Sequence, residues 1–125
     1  MIILLRVLSG LVALLFMRQG LQWVFSPGEV ANSLGMPLLE GVGASTQIGD
    51  LGSFFLVSGC MMIVGQLPGR SFWLYPPACF VLGAAFMRSI AALTQNADWA
   101  IQFIVIEVLM SSILFLTAQK LSSRG

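Results

Sequence analysis

Histidine is missing altogether, and charge is scarce: Asp, Glu, Lys and Arg make up 9% of the 125 residues, against 58% hydrophobic ones. Without histidine there is no Ser-His-Asp triad and none of the common His-containing metal sites. A soluble domain clothes its surface with about 25% charged residues, so this chain cannot present a water-facing exterior. The net charge of +1, the lack of any Lys or Arg run, and aromatics embedded in apolar stretches exclude nucleic acid as a partner. There are 2 cysteines, Cys60 and Cys79, and no CxxC pair. A disulfide framework is not expected, and reduced packing residues are the plain reading of both. No cofactor or metal set is indicated.

What is present is apolar sequence, with a mean hydropathy of +0.94. A helix that crosses a bilayer uses roughly 20 residues, and four of them with short loops consume nearly the whole chain. The expected fold is all-α: one domain over residues 1–125, a four-transmembrane-helix bundle with spans near 3–25, 48–66, 73–95 and 99–119. Arg6 ahead of an apolar run also fits a signal peptide, but no small-x-small site follows closely, and a retained first span is expected. Ser26, Pro27 and Glu29 read as the start of a short interfacial helix, with Ser26 and Glu29 forming a capping box and Pro27 at the first helical position. Gly35 and Pro37 end it, leaving Val30 and Leu34 to face lipid or the bundle, and residues 38–47 read as linker. Gly52 and Gly59 share one face of the second span, where glycine permits close helix approach. Pro68, Gly69 and Arg70 mark a tight turn, Pro76 and Pro77 open the third span, and Asn96–Asp98 reads as its last turn. Trp73, Tyr75 and Trp99 fall at span ends, where aromatic anchors belong.

Four spans put both termini on one side, together with Arg6, Arg70, Lys120 and Arg124. The other side carries Glu29, Glu40 and Asp98 and no basic loop residue. The positive-inside rule then makes the first side cytoplasmic and the 26–47 loop periplasmic, in a bacterial inner membrane.

Three charges fall inside the spans: Arg18, Arg88 and Glu107. Each lies about seven or eight residues from the outer end of its span, roughly 10–12 Å down, and Asp50 enters the second span slightly above them. An arginine in mid-membrane costs about 2.5–3.5 kcal/mol even on lenient insertion scales, so a buried cluster is expected in which Arg18 and Arg88 meet Glu107 and Asp50. Arginine's fork suits such a pairing because it can make two bonds to one carboxylate. Gln102, one turn outside Glu107, extends the candidate polar cluster. Three uses are open to these charges: a network that fixes helix register, a pocket in which arginine holds an anionic or carbonyl-bearing ligand beside Glu107, or snorkelling of Arg18 and Arg88 to the outer headgroups, with Gln19 and Gln22 beside Arg18.

The stretch Gly83–Ala84–Ala85–Phe86–Met87–Arg88–Ser89–Ile90, then Asp98, then Phe103–Ile104–Val105–Ile106–Glu107–Val108–Leu109, resembles the DUF4345-like group of small bacterial four-helix membrane proteins. Pro27 at the end of the first helix and the glycines from Gly52 to Gly65 fit the same likeness. The resemblance implies a third-helix arginine at Arg88 and a fourth-helix glutamate at Glu107. Where that group shows paired glycines at the start of helix 2, this chain reads Gly49–Asp50–Leu51–Gly52. The layout is also similar to DoxX-like proteins, four-helix membrane proteins linked to oxidoreductase systems.

Small loops and no catalytic signature favour a non-enzymatic accessory or complex subunit. Such a subunit meets membrane lipid and either a membrane-protein partner or a second copy of itself. It should leave small-residue grooves uncovered on an apolar outer face. The alternatives are a binding protein or enzyme for a lipid-like or quinone-like hydrophobic molecule, and an oligomeric transporter component.

Overall fold

The computed structural model describes residues 1–123, so Arg124 and its place in the charge asymmetry lie outside the described residues. Among those residues the regular structure is entirely helical: α1 (Ile2–Phe25), α2 (Pro27–Ser33), α3 (Gly41–Gly65), a 3-10 turn (Ser71–Leu74), α4 (Tyr75–Thr94) and α5 (Ile101–Ser123). Four segments are long and apolar enough to cross a bilayer: 24 residues in α1, 25 in α3, 24 in the 3-10 turn with α4, and 23 in α5. At about 1.5 Å per residue each exceeds the roughly 30 Å hydrocarbon layer. No more than 28% of the best apolar window in any of them is buried within the protein. Leu14, Phe25, Val42, Phe86, Leu93, Ile101 and Leu109 are all exposed. Apolar exposure on that scale is untenable in water, whereas lipid satisfies it.

The chain forms two compact units, Leu11–Cys60 and Met1–Gly10 with Met61–Gly125. In the first, α1 and α3 approach through glycine. A methyl on Gly20 would fall 2.7 Å from Leu56 Cβ, one on Gly52 3.3 Å from Trp23 Cβ, and one on Gly59 3.0 Å from Met17. Gly52 and Gly59 do share a face, as their spacing predicts, and Gly20 is the reciprocal contact on α1. Trp23, Val30 and Ala31 make the core of this unit, with Leu34, Met36, Ile48, Leu51 and Phe55 packed around them. Val30 therefore meets protein. Phe16, Phe54 and Phe55 add an edge-on aromatic group, with centroids 5.0–5.9 Å apart.

Two local expectations are corrected here. Ser26 stands at the N-cap of α2 with Pro27 behind it, but its side chain makes no capping bond. Only Ser26 separates α1 from α2, and its backbone is bonded in both directions, to Gln22 O at 2.7 Å and from Val30 N at 3.3 Å. Secondly, α3 begins at Gly41, within the expected linker. Gln47 explains it: its Oε1 accepts from Leu39 N at 2.8 Å and its Nε2 donates to Pro37 O at 3.0 Å. One side chain thus satisfies the backbone of the incoming loop.

In the second unit, α4 and α5 form an antiparallel hairpin. Asn96 takes φ +57, and Ala97 N bonds Ala91 O at 3.3 Å, a left-handed helix ending that asparagine tolerates well. The expected turn 96–98 is therefore this cap, and α5 begins after Trp99 and Ala100 and runs on to Ser123. Ser9 is fully buried and accepts from Gln66 Nε2 at 2.8 Å. The Thr117 hydroxyl lies 2.7 Å from Ile113 O and 3.2 Å from Leu5 O. These bonds tie the first turns of α1 to the end of α3 and to α5.

Candidate functional site on the hairpin

The buried residues of α4, Pro77, Ala78, Val81 and Ala85, recur at helical spacing, and Arg88 continues that stripe one turn on. The buried residues of α5, Ser111, Leu114, Thr117 and Ala118, form the facing stripe, and Glu107 precedes it by one turn. Arg88 lies six residues before the end of α4 and Glu107 six after the start of α5, about 9 Å from each helix end. Antiparallel packing brings the two levels together. Arg88 Nε donates to Glu107 Oε1 at 3.1 Å and to Oε2 at 3.2 Å. The guanidinium carbon sits 4.7 Å from the ring centroid of Phe103, one turn before Glu107, adding a cation–π contact.

This arrangement differs from the expected one in three respects. The pair is half-buried rather than buried, Arg88 being 33% and Glu107 13% exposed at the side chain. A single N–H straddles both carboxylate oxygens in place of a two-nitrogen fork, which leaves Nη1 and Nη2 without an acceptor among the described residues. The wider set is not buried either: Arg18 and Asp50, of the other unit, are exposed, and Gln102 is exposed on α5. Among the described residues, Arg88–Glu107 is the one ion pair. Both cysteines are free and exposed rather than packed inside. Cys60 lies 3.8 Å from Met17 Sδ.

On the hairpin surface, Cys79, Leu82, Gly83, Phe86, Ile104 and Val108 line a shallow groove of about 570 Å³ whose wall is almost wholly apolar. Ala85 and Ser89 complete its small-residue lining, and a methyl on Gly83 would meet nothing within 4 Å. Among the described residues, no three His, Cys, Asp or Glu side chains lie close enough to hold a metal ion. Sequence reading missed Phe103, whose aromatic character was indistinguishable from ordinary lipid-facing sequence, and the Gln47 latch, whose polar neighbours Ser45 and Thr46 read as loop. It also missed a buried acceptor and donor on α1, Gln19 Oε1 and Trp23 Nε1, neither with a partner among the described residues.

Four long apolar helices with apolar side chains exposed along them define an integral membrane protein. No family model, curated protein or solved structure matches the chain.

Proposed function

We propose that this chain is a non-enzymatic accessory subunit of the bacterial inner membrane, a four-helix bundle with both termini cytoplasmic, the 26–47 segment periplasmic and α2 at the membrane interface. The supporting observation is the small-residue groove on the hairpin. Arg88 pairs with Glu107 through Nε and lies against Phe103, outside the groove lining, while the groove stays open and apolar. Membrane helices associate by placing small residues where backbones must come close, and Gly83 offers that space. The occupant is a transmembrane helix of a partner protein. Arg88 and Glu107, the two residues that the resemblance to the DUF4345-like group singles out, are the pair that joins the two helices of this hairpin.

Cys79, free and exposed at the groove, supplies the test. In native membranes, maleimide should label Cys79 more slowly than in detergent extract. A cross-linker on Cys79 should capture a partner that Gly83→Leu releases without lowering the thermal midpoint. Equal labelling in both settings, with Gly83→Leu changing nothing, would refute the docking surface. Capture of a second copy would reassign the groove to self-association.

A second reading, binding of a lipid-like or quinone-like molecule, is supported by Arg88 Nη1 and Nη2, which have no acceptor among the described residues. Their N–H groups, about 9 Å inside the helix end, suit a carbonyl or an anionic group. Glu107→Gln separates the two readings. A stably folded variant that loses a co-purifying small molecule supports binding; loss of the folded protein supports the structural staple.

A further inference from the structure

The far end of the second unit carries another cavity, of about 460 Å³, where the start of α1, the α3–α4 turn and the last turn of α5 converge. Its lining is mixed: Arg6, Gln66, Ser71 and Ser122 are polar, and Leu67 and Phe72 form an apolar side. Arg6 Nη2 donates to Gln66 O at 3.0 Å, and Gln66 Nε2 donates to Ser9 Oγ at 2.8 Å. These bonds hold the guanidinium at the cavity while its Nε and Nη1 meet no acceptor among the described residues. Among the described residues the Ser71 and Ser122 hydroxyls have no hydrogen-bond partner either. Gly69, at φ +73, turns the chain along the wall.

The charged side chains of the described residues around it have one sign. Arg70 lies in the turn and Lys120 in the last turn of α5. None of the 5 acidic residues falls in segments 1–10, 61–75 or 119–123. Along α5, Glu107 is about 21 Å from Leu121 at helical rise. Among the described residues the cavity has no carboxylate and several unsatisfied donors, a combination that selects an anion rich in oxygen acceptors.

The apolar side narrows the class. Leu67 and Phe72 are 49% and 60% exposed, so an open apolar surface borders the donors. A soluble phosphate would use the donors and leave that surface wet. We propose that the cavity binds the headgroup phosphate of an anionic phospholipid, with Arg6, Ser71 and Ser122 as donors and the acyl chains against Leu67 and Phe72. The inference is independent of the partner-helix reading. It places a specific lipid at the end that the positive-inside rule makes cytoplasmic.

Native mass spectrometry of the intact protein in mild detergent tests it. Phosphatidylglycerol and phosphatidylcholine of identical chains are added in turn, and glycerol phosphate serves as the soluble competitor. The wild type should retain phosphatidylglycerol preferentially. Arg6→Gln should cut that retention about fivefold, the effect of one basic residue near an anionic headgroup, and Arg6→Lys should restore most of it. Arg18→Gln, which changes an arginine of the other unit, should leave it unchanged. Equal retention of the two lipids by the wild type overturns the proposal whatever the variants do. So does competition by glycerol phosphate at lipid-like concentration, which would make this a soluble-phosphate site. If Arg6→Gln does not fold, Ser122→Glu puts a like charge in the cavity and must abolish the preference for the proposal to stand.

Discussion

Gly20 bears the tightest helix approach in the first unit, because its missing Cβ would lie 2.7 Å from Leu56 Cβ and 2.8 Å from Leu56 Cα. The obstruction is partly backbone and cannot rotate away. Gly20→Ala should therefore push α1 from α3 and cost about 1–3 kcal/mol, the range for overpacking a close contact. Gly49→Ala is the internal control: nothing lies within 4 Å of its missing Cβ, so it should hold or raise stability by about 0.5–1 kcal/mol through helix propensity. Thermal midpoints in one detergent decide the matter, and equal midpoints for the two variants would dismiss the close approach. The sequence contained Gly20 but no sign of its role, because any membrane-helix glycine reads as permissive until its partner is known. Arg88 and Glu107 were more legible. Their matched depths and opposite charges follow from counting residues along two antiparallel helices. Arg18, Asp50 and Gln102 were not, because a helix apolar on all sides has no stripe to fix its rotation. Depth alone cannot say which way a side chain points.

At the scale of elements, the spans were readable because about 20 apolar residues have few other uses. Their ends were less so, since polar side chains near an end serve either a loop or a cap. Gln47 is such a case, a buried side chain read as linker that joins α3 to Pro37 and Leu39 through two hydrogen bonds. Gln47→Ala should leave Leu39 N–H and Pro37 C=O unpaired, with a local loss of about 1–3 kcal/mol. Hydrogen exchange at the Leu39 amide should quicken by roughly tenfold or more, 1.4 kcal/mol being a factor of ten. Amides in the middle of α5 should be unaffected. Unchanged exchange at Leu39 would show that the loop is held by Val30, Met36 and their neighbours alone.

For the whole molecule, orientation rests on charge rather than on packing. The proposed four-crossing topology puts Arg6, Arg70, Lys120 and Arg124 on one side and Glu29, Glu40 and Asp98 on the other. Basic residues in short loops are held on the cytoplasmic side during insertion, and acidic ones contribute little to the choice. The asymmetry is complete, so the chain should insert in a single orientation. To test this, Cys60 and Cys79 are first replaced by serine, and single cysteines are then placed at Asn32, Asp98 and Ser123, all exposed. A membrane-impermeant maleimide applied to intact spheroplasts should label the first two and spare Ser123→Cys until the membrane is opened. Labelling of Ser123→Cys in sealed cells would invert the protein and move the Arg6 cavity to the outer leaflet. Partial labelling of all three would reveal dual insertion, a result that the four basic residues near or beyond the span ends, all on one side of the proposed topology, argue against. Converting both Arg70 and Lys120 to glutamine should weaken the bias and produce that mixed pattern, tying orientation to the basic residues themselves rather than to hydropathy or helix length.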